Sequence, residues 1–415
     1  MTEPETTDSP AHLRQLGVLI AVNAVDMLGF AMVMPILPFY AQRLGASPLA
    51  IGALISSYSI AQVLSAPFWG RVSDRYGRRP ALVIGLAGSA LAYLVFAFSN
   101  QLWLLFLSRS IQGAGGGTTG VAQAYVTDTV RPNERAKALG WLSAATGAGI
   151  AIGPVISSMS AHLGSEFPGI IAASICLVNL VFAWYWLPES HTAAKRAESA
   201  ATPKRAVWHG ALDVIRHPAR PVSRMIWIYG VGMLAFTFLT AILPIWLGAE
   251  MQIGGRPVDE KNIWPVFMYI AGLSFLFRIL FLGKVVKRFG EVGTIRLGCL
   301  ALIIGFVLYP FQHTWWGLVP TMAFVPLGAA LIFPSTTALM SRFSPKATIG
   351  ETMGVAQTFA GGGRIIAPLI STWLFQHFTH ATPFFVAAVL VVGASFLVLK
   401  VDPNAGAPEP TPAPV

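Results

Sequence analysis

The sequence predicts an all-α membrane protein with twelve transmembrane helices in two pseudo-symmetric six-helix bundles. Three observations carry that prediction. Of 415 residues, 54% are hydrophobic and 11% charged, against roughly 25% charged in an ordinary soluble domain. Twelve apolar segments, each about 20 residues long, follow one another with mostly short gaps. The second six repeat features of the first six at a nearly constant offset. With a mean hydropathy of +0.63, too little charge remains to cover a soluble globule. A soluble enzyme, a disordered chain and a fibrous protein are therefore excluded.

The spans run 16–38, 49–69, 80–99, 101–125, 138–161 and 167–187, then 224–248, 263–283, 293–311, 315–340, 350–376 and 382–400. Residues 1–189 are expected to form the N-terminal bundle and 224–401 the C-terminal bundle. Between them, 190–223 is rich in Ala, Pro, Lys and Arg and reads as a cytoplasmic linker. The Pro/Ala-rich stretch 402–415 reads as a disordered tail. The polar, acidic start lacks the basic region and cleavage site of a secretory signal, so the first span is expected to be retained. With the N-terminus inside, 22 of the 28 Lys and Arg residues fall on the cytoplasmic side. Three fall outside and three within spans. This places both termini in the cytoplasm. It also assigns the net charge of +10 to loops facing anionic lipid, not nucleic acid.

The halves repeat. Met27-Leu28, Phe30 and Ile36-Leu37-Pro38 recur 206 residues later as Met233-Leu234, Phe236 and Ile242-Leu243-Pro244. Gly70-Arg-Val72-Ser-Asp-Arg75-Tyr76-Gly77 recurs 213 residues later as Gly283-Lys-Val285-Val-Lys-Arg288-Phe289-Gly290. Gly140, Gly149, Ile152, Pro154 and Ser157 recur 214 residues later as Gly354, Gly363, Ile366, Pro368 and Ser371. Transporters built from such repeats bind substrate near the midplane, between the halves.

Four motifs carry a resemblance. They are Gly70-Arg-Val-Ser-Asp74-Arg-Tyr-Gly77-Arg78-Arg79 after span 2, Arg109-Ser-Ile-Gln112-Gly113-Ala-Gly115 in span 4, Gly149-Ile-Ala-Ile-Gly153-Pro154 in span 5, and Asp26-Met-Leu-Gly-Phe-Ala-Met-Val-Met-Pro35-Ile-Leu-Pro38 in span 1. On these the chain resembles the major facilitator superfamily. More narrowly, it is similar to the twelve-span drug:proton antiporters that include the tetracycline efflux proteins. The span 5 motif departs from the family at Ser157-Ser158, where a glycine pair is usual. The resemblance implies a monomer in the cytoplasmic (inner) membrane that moves small molecules and protons by alternating access.

Asp26 is the one acidic residue deep in a span. An ionised Asp at the bilayer centre costs about 2.5–3.5 kcal/mol to insert; a protonated one costs less, which suits a proton carrier. The alternative is a structural Asp held by a neighbouring helix. Arg109 in span 4 needs a counterion or carbonyl partners, and Asp26 is the candidate counterion. These two are expected to couple protons. Asn23, Phe30, Tyr58, Gln123, Phe236, Phe238 and Gln357 are expected to line the substrate cavity with Asp26. Arg364 of span 11 would touch a polar substrate group, or else snorkel. Gly70 and Gly77 permit tight turns and close approach. The resemblance places Asp74 at the N-terminus of span 11, with Arg78 and Asp128 completing a conformational latch; the alternative is a solvated loop that only enforces topology. Gly147, Gly149 and Gly153 allow close helix contact, and Pro154 a kink.

Gly115-Gly-Gly117-Thr-Thr-Gly120 formally matches a dinucleotide fingerprint, but no strand precedes it and it lies inside an apolar span. There is no Walker motif and no paired Cys/His spacing. Cys176 and Cys299 sit in apolar runs. No cofactor, metal or enzymatic activity is expected. The favoured function is proton-coupled export of hydrophobic or amphipathic small molecules. Alternatives are an importer or lipid flippase of the same fold, and a non-transporting receptor or membrane enzyme.

Overall fold

The computed structural model describes residues 10–130, 134–190, 207–345 and 348–401. Two compact units emerge, Met1–Pro203 with Leu247–Met268, and Lys204–Trp246 with Tyr269–Val415.

In the first unit, α1 (Pro10–Val33) ends where Met34 and Pro35 form a turn, and α2 (Leu37–Arg43) follows. Pro35 ends the helix because its ring disfavours helical geometry at the residue before it. α3 (Pro48–Tyr76) starts on Ser47, whose side chain accepts from the Ala50 N–H at 3.3 Å. Next come α4 (Arg78–Ala97), α5 (Leu102–Gly116), α6 (Thr119–Thr129), α7 (Arg135–Ala161) and α8 (Phe167–Trp186). The second unit holds α9 (Val207–Arg216), most of α10 (Pro221–Glu250), and α12 (Leu282–Leu308), α13 (Trp315–Met322), α14 (Phe324–Phe343), α15 (Ile349–His377) and α16 (Thr382–Leu399). α11 (Trp264–Leu276) leads into α12 through a π-helical turn, Phe277–Phe281.

Nine helices among the described residues are long and apolar enough to cross a membrane. The other three expected spans are accounted for individually. Spans 8 and 9 fall in one continuous stretch, Trp264–Phe311, which bends at Gly290 (φ 66°). Span 4 is broken at Gly117-Thr118 into α5 and α6. Span 11 is the single long helix α15, made less apolar by Glu351, Arg364 and Gln357.

Glycines set how closely these helices pack, as expected where lipid offers no hydrophobic drive for association. A Cβ at Gly149 would lie 2.3 Å from the Ala24 carbonyl, and one at Gly153 2.6 Å from the Ala31 methyl, so α7 lies directly on α1. A Cβ at Gly113 would lie 2.2 Å from the Tyr58 carbonyl, and one at Gly117 2.4 Å from Ser65 Oγ. Gly115, Gly116 and Gly117 of the glycine-rich stretch are thus used in packing, while Gly120 meets open space. The break frees carbonyls, and side chains recover two of them: Trp69 Nε1 donates to the Ala114 carbonyl at 2.5 Å and Gln62 Nε2 to that of Gly116 at 3.2 Å. In the second unit, a Cβ at Gly363 would lie 3.3 Å from Leu234 Cα. Gly363 and Leu234 are the repeat equivalents of Gly149 and Leu28, so the same helix seam exists in both units.

Two expectations need correction. The stretch 190–223 is not all linker: α9 occupies part of it, and Pro221 begins α10. Ala211 and Val214, three residues apart, are buried on one face of α9, and Gly210 packs against Val355 of α15. Residues 191–206, a little under half of the expected linker, and the tail 402–415 lie outside the described residues. Gly147 meets open space, so close helix contact does not explain it.

Candidate transport site

The polar centre of the first unit is built on Arg109. Its side chain is fully buried. Nη1 donates to Gln112 Oε1, and Nη2 lies 3.6 Å from Met34 Sδ. The guanidinium stands over two rings, 4.9 Å from the centroid of Tyr58 and 5.9 Å from that of Phe30, and these rings are 5.1 Å apart. Gln112 Nε2 in turn donates to Tyr93 Oη at 2.7 Å. No ion pair joins Arg109 to Asp26. The expected counterion is replaced by a neutral amide, a thioether and two aromatic faces. Such partners supply electron density without adding a second buried charge.

Asp26 is half-buried on α1, and among the described residues no hydrogen bond or ion pair holds its carboxylate. The facing residues are Tyr93, whose hydroxyl would sit 3.1 Å from a Cβ at Gly29, and Cys176, both within electrostatic reach. Asn23, one turn earlier, is committed to helix packing: its Nδ2 donates to Thr146 Oγ1 of α7 at 2.7 Å. Asn179 of α8 ties the same helix from another side, through the Val22 carbonyl at 2.9 Å. Phe30 is half-buried, Tyr58 buried and Gln123 exposed on α6.

In the second unit, Arg364 Nη2 donates to Gln357 Oε1 at 3.3 Å, and Gln357 Nε2 to Tyr229 Oη at 3.3 Å. Tyr229 is the repeat equivalent of Asn23, so polar side chains tie the first and fifth helices in both units. Phe333 stands edge-on to Tyr229 at 5.5 Å and to Phe236 at 6.2 Å. Phe238 is only 2% exposed. Residues two apart face opposite sides of a helix, so Phe238 is a core residue. Phe333, which the sequence reading missed, takes its place beside Phe236.

At the end of the first unit where α3 meets α4, Arg78 gathers the expected acids. Its Nη1 donates to Asp74 Oδ1 at 2.8 Å and to Ser73 Oγ at 2.7 Å, and its Nε to Asp128 Oδ2 at 3.0 Å. Glu189 was not anticipated. Its two carboxylate oxygens accept from the backbone N–H groups of Arg78 at 2.8 Å and Arg79 at 3.2 Å, capping α4 where the helix dipole favours an anion. Gly77 adopts φ 113°, and a Cβ there would collide with Glu189 Oε2 at 2.2 Å. Gly70 differs: it lies inside α3 with open space where a Cβ would go, so neither a turn nor a close approach explains it. Pro154 is accommodated inside α7, which continues on both sides of it.

On the other side, the hairpin Gln252–Pro257 turns through Gly254-Gly255, both with positive φ. The loop after it docks on the first unit. Arg43 Nη1 pairs with Glu260 Oε1 at 2.9 Å and stacks on Tyr40 at 4.4 Å. Ser158 Oγ donates to the Glu260 carbonyl at 2.7 Å. The departure from the expected glycine pair therefore has a physical use, since a glycine at 158 could not make this bond.

A family model described as Major Facilitator Superfamily matches residues 19–313 and 263–415. The tetracycline resistance protein, class B, of Escherichia coli is 26% identical over 391 residues, 91% of this chain and 92% of the relative. The quinolone resistance protein NorA of Staphylococcus aureus (strain MSSA476) is 25% identical over 395 residues, covering 93% and 96%. Among solved structures, the human organic anion transporter MFSD10 (TETRAN) superposes with a TM-score of 0.70 at 22% identity, covering 94% of this chain and 100% of that one. A polytopic helical fold, a repeated six-helix plan and a match along nearly the whole sequence lead to one assignment: the chain belongs to the Major Facilitator Superfamily.

Proposed function

We propose that this protein is a proton-coupled secondary transporter of the cytoplasmic membrane that exports hydrophobic or amphipathic drugs by alternating access. Both termini face the cytoplasm and the monomer is the working unit. Protons and small molecules are its partners; nucleic acid is not. The observation that carries the reading is the presence in one unit of Asp26, whose carboxylate has no ion pair among the described residues, and of a wholly buried cation, Arg109, held by neutral groups. Asp26 carries the proton and Arg109 senses it. Substrate contacts come from Phe30, Tyr58 and Gln123 in the first unit and from Phe236, Phe333, Gln357 and Arg364 in the second. Few polar groups among aromatic walls suit greasy molecules and loose specificity. Asp74, Arg78 and Asp128 act as the cytoplasmic latch.

The relatives support the same reading, since they are named for resistance to tetracycline and to quinolones. The test has two arms. Expression in a host stripped of its own exporters should raise the growth-inhibitory concentration of several chemically unrelated drugs. In proteoliposomes, flux of a protecting drug should follow an imposed pH gradient and collapse with a protonophore. Flux indifferent to the gradient would overturn antiport and leave a uniporter or lipid flippase.

A further inference from the structure

Tyr93 plays no part in any motif, yet it is fully buried within electrostatic reach of both Asp26 and Arg109. Its hydroxyl accepts from Gln112 Nε2 at 2.7 Å, while Gln112 Oε1 holds Arg109 Nη1. An oxygen that accepts from Gln112 still has its own proton to donate, and among the described residues none accepts it. The hydroxyl lies against α1 at Gly29, where a Cβ would be 3.1 Å away. Asp26 is one turn back on the same face, with Cβ positions three residues apart separated by about 5–6 Å. Hydroxyl and carboxylate are within electrostatic reach of each other, with no hydrogen bond between them in this structure, so a rotamer change at Asp26 is what would join them. Gly29 is what lets the ring approach: any side chain there would crowd it.

We infer that Tyr93 is a positioning residue that relays the protonation state of Asp26 to Arg109 through Gln112. The inference rests on the antiport reading above and adds the path within it. When Asp26 is ionised, Tyr93 donates to the carboxylate and accepts from Gln112, and the amide oxygen of Gln112 is aimed at Arg109. When Asp26 is protonated, its own O–H donates to the Tyr93 oxygen. The phenol must then turn its proton elsewhere, and Gln112 loses part of its acceptor and reorients. The tyrosine keeps its proton throughout. The change reaches Arg109 as a change in hydrogen bonding across three side chains, with no ion pair between Asp26 and Arg109. The other titratable groups on helices packed against α1 are Cys176 on α8, which donates to the Leu86 carbonyl, Tyr185 at the end of α8, which is exposed, Tyr125 on α6, which donates to the Pro188 carbonyl, and Asp128 on α6, which pairs with Arg78. Described residues of α7 supply no titratable group.

The test is Tyr93→Phe in full-length protein reconstituted in proteoliposomes. The ring and its packing stay; only the hydroxyl is lost. Maximal gradient-driven flux should fall roughly tenfold, with substrate KM within about twofold. The pH of half-maximal flux should move about one unit to the alkaline side, because a donor to the ionised carboxylate is gone. Gln112→Met cuts the same path at its other end and should give the same signature, and the double variant should be no worse than either single. This second variant keeps the test decisive if Tyr93→Phe folds poorly. Gradient-driven flux with an unchanged rate and pH profile in both variants overturns the relay while leaving antiport standing. Equal losses with no movement of the pH profile assign Tyr93 to packing and also overturn it. Wild-type flux that ignores the gradient removes antiport itself.

Discussion

The helix hairpins that follow spans 2 and 8, one in each unit, use the same positions with opposite charge. In the first, Arg78 lies between Asp74 and Asp128. In the second, 213 or 214 residues later, Lys287 stands at the position of Asp74, Glu291 at that of Arg78 and Arg342 at that of Asp128. Arg342 Nη2 pairs with Glu291 Oε1 at 2.7 Å. The repeat has kept a cross-helix ion pair while inverting its sign. Burial differs too. The Arg78 side chain is 10% exposed, whereas Arg342 is 51% exposed. The geometry of the fold therefore asks for complementary charges at these two helix ends without dictating which helix carries which. Only the first copy buries its pair and adds Ser73 and the Glu189 cap, so that copy is the one built to hold a state.

The largest expected effect separates the units at their centres. The first has Asp26; the repeat equivalent in the second is Gly232. If proton coupling resides in the first unit alone, Asp26→Asn should abolish pH-gradient-driven flux while substrate binding in detergent persists. Full flux from this variant would move the proton carrier elsewhere and dissolve the contrast. Next in size is the ion pair itself. Arg78→Ala removes the cation that two largely shielded carboxylates share and should destabilise the protein by about 3 kcal/mol. Arg342→Ala breaks an exposed pair and should cost less than about 1 kcal/mol. Thermal unfolding in detergent compares them directly. The sharper version imports the second unit's signs into the first: Asp74→Lys, Arg78→Glu and Asp128→Arg together should recover more thermal stability than Arg78→Glu alone. No recovery would mean that sign matters as well as complementarity.

The membrane class and the repeat were legible because hydropathy and basic-loop asymmetry are summed over many residues, and no single contact can reverse them. Gly149 and Gly153 were legible for a related reason: small residues spaced four apart on an apolar helix have few other uses. The Arg78 cluster was legible through its motif. What was missed depends on contacts far apart in sequence between residues with no distinctive pattern. Glu189 sits 111 residues from Arg78, at what looked like the start of a linker. Tyr93 and Phe333 are ordinary aromatics until α4 and α14 are placed against their neighbours. Phe238 was assigned to a cavity alongside Phe236 although the two face opposite sides of one helix. For Arg109 the sequence reading weighed an anion or carbonyl partners and named Asp26 as the candidate, whereas the partners are the Gln112 amide and two ring faces. α9 was hidden because a ten-residue amphipathic helix in a basic, Pro-containing stretch resembles a tether in composition.

The smallest predicted effect tests the hairpins once more, at their glycines. Gly77 (φ 113°) and Gly290 (φ 66°) are repeat equivalents, and both lie in the region of backbone space that side chains disfavour. With ψ of 161° and 174°, both sit in an extended positive-φ region that costs an ordinary L-residue about 1–3 kcal/mol. That cost is common to both positions, so any difference between Gly77→Ala and Gly290→Ala must come from surroundings. At Gly290 a new Cβ meets open space, and only the backbone term applies. At Gly77 it meets Glu189, whose carboxylate is fixed by two backbone donors and cannot swing away without uncapping α4. Losing such a cap costs about 1 kcal/mol more. Gly77→Ala should therefore be the more destabilising of the two by roughly that amount, and combining it with Glu189→Ala should add less than the sum of the single effects, because the collision and the cap vanish together. Equal unfolding temperatures for Gly77→Ala and Gly290→Ala would show that the Glu189 cap adds nothing to the first hairpin, and its claim to be the more rigid of the two would then rest on Arg78 alone.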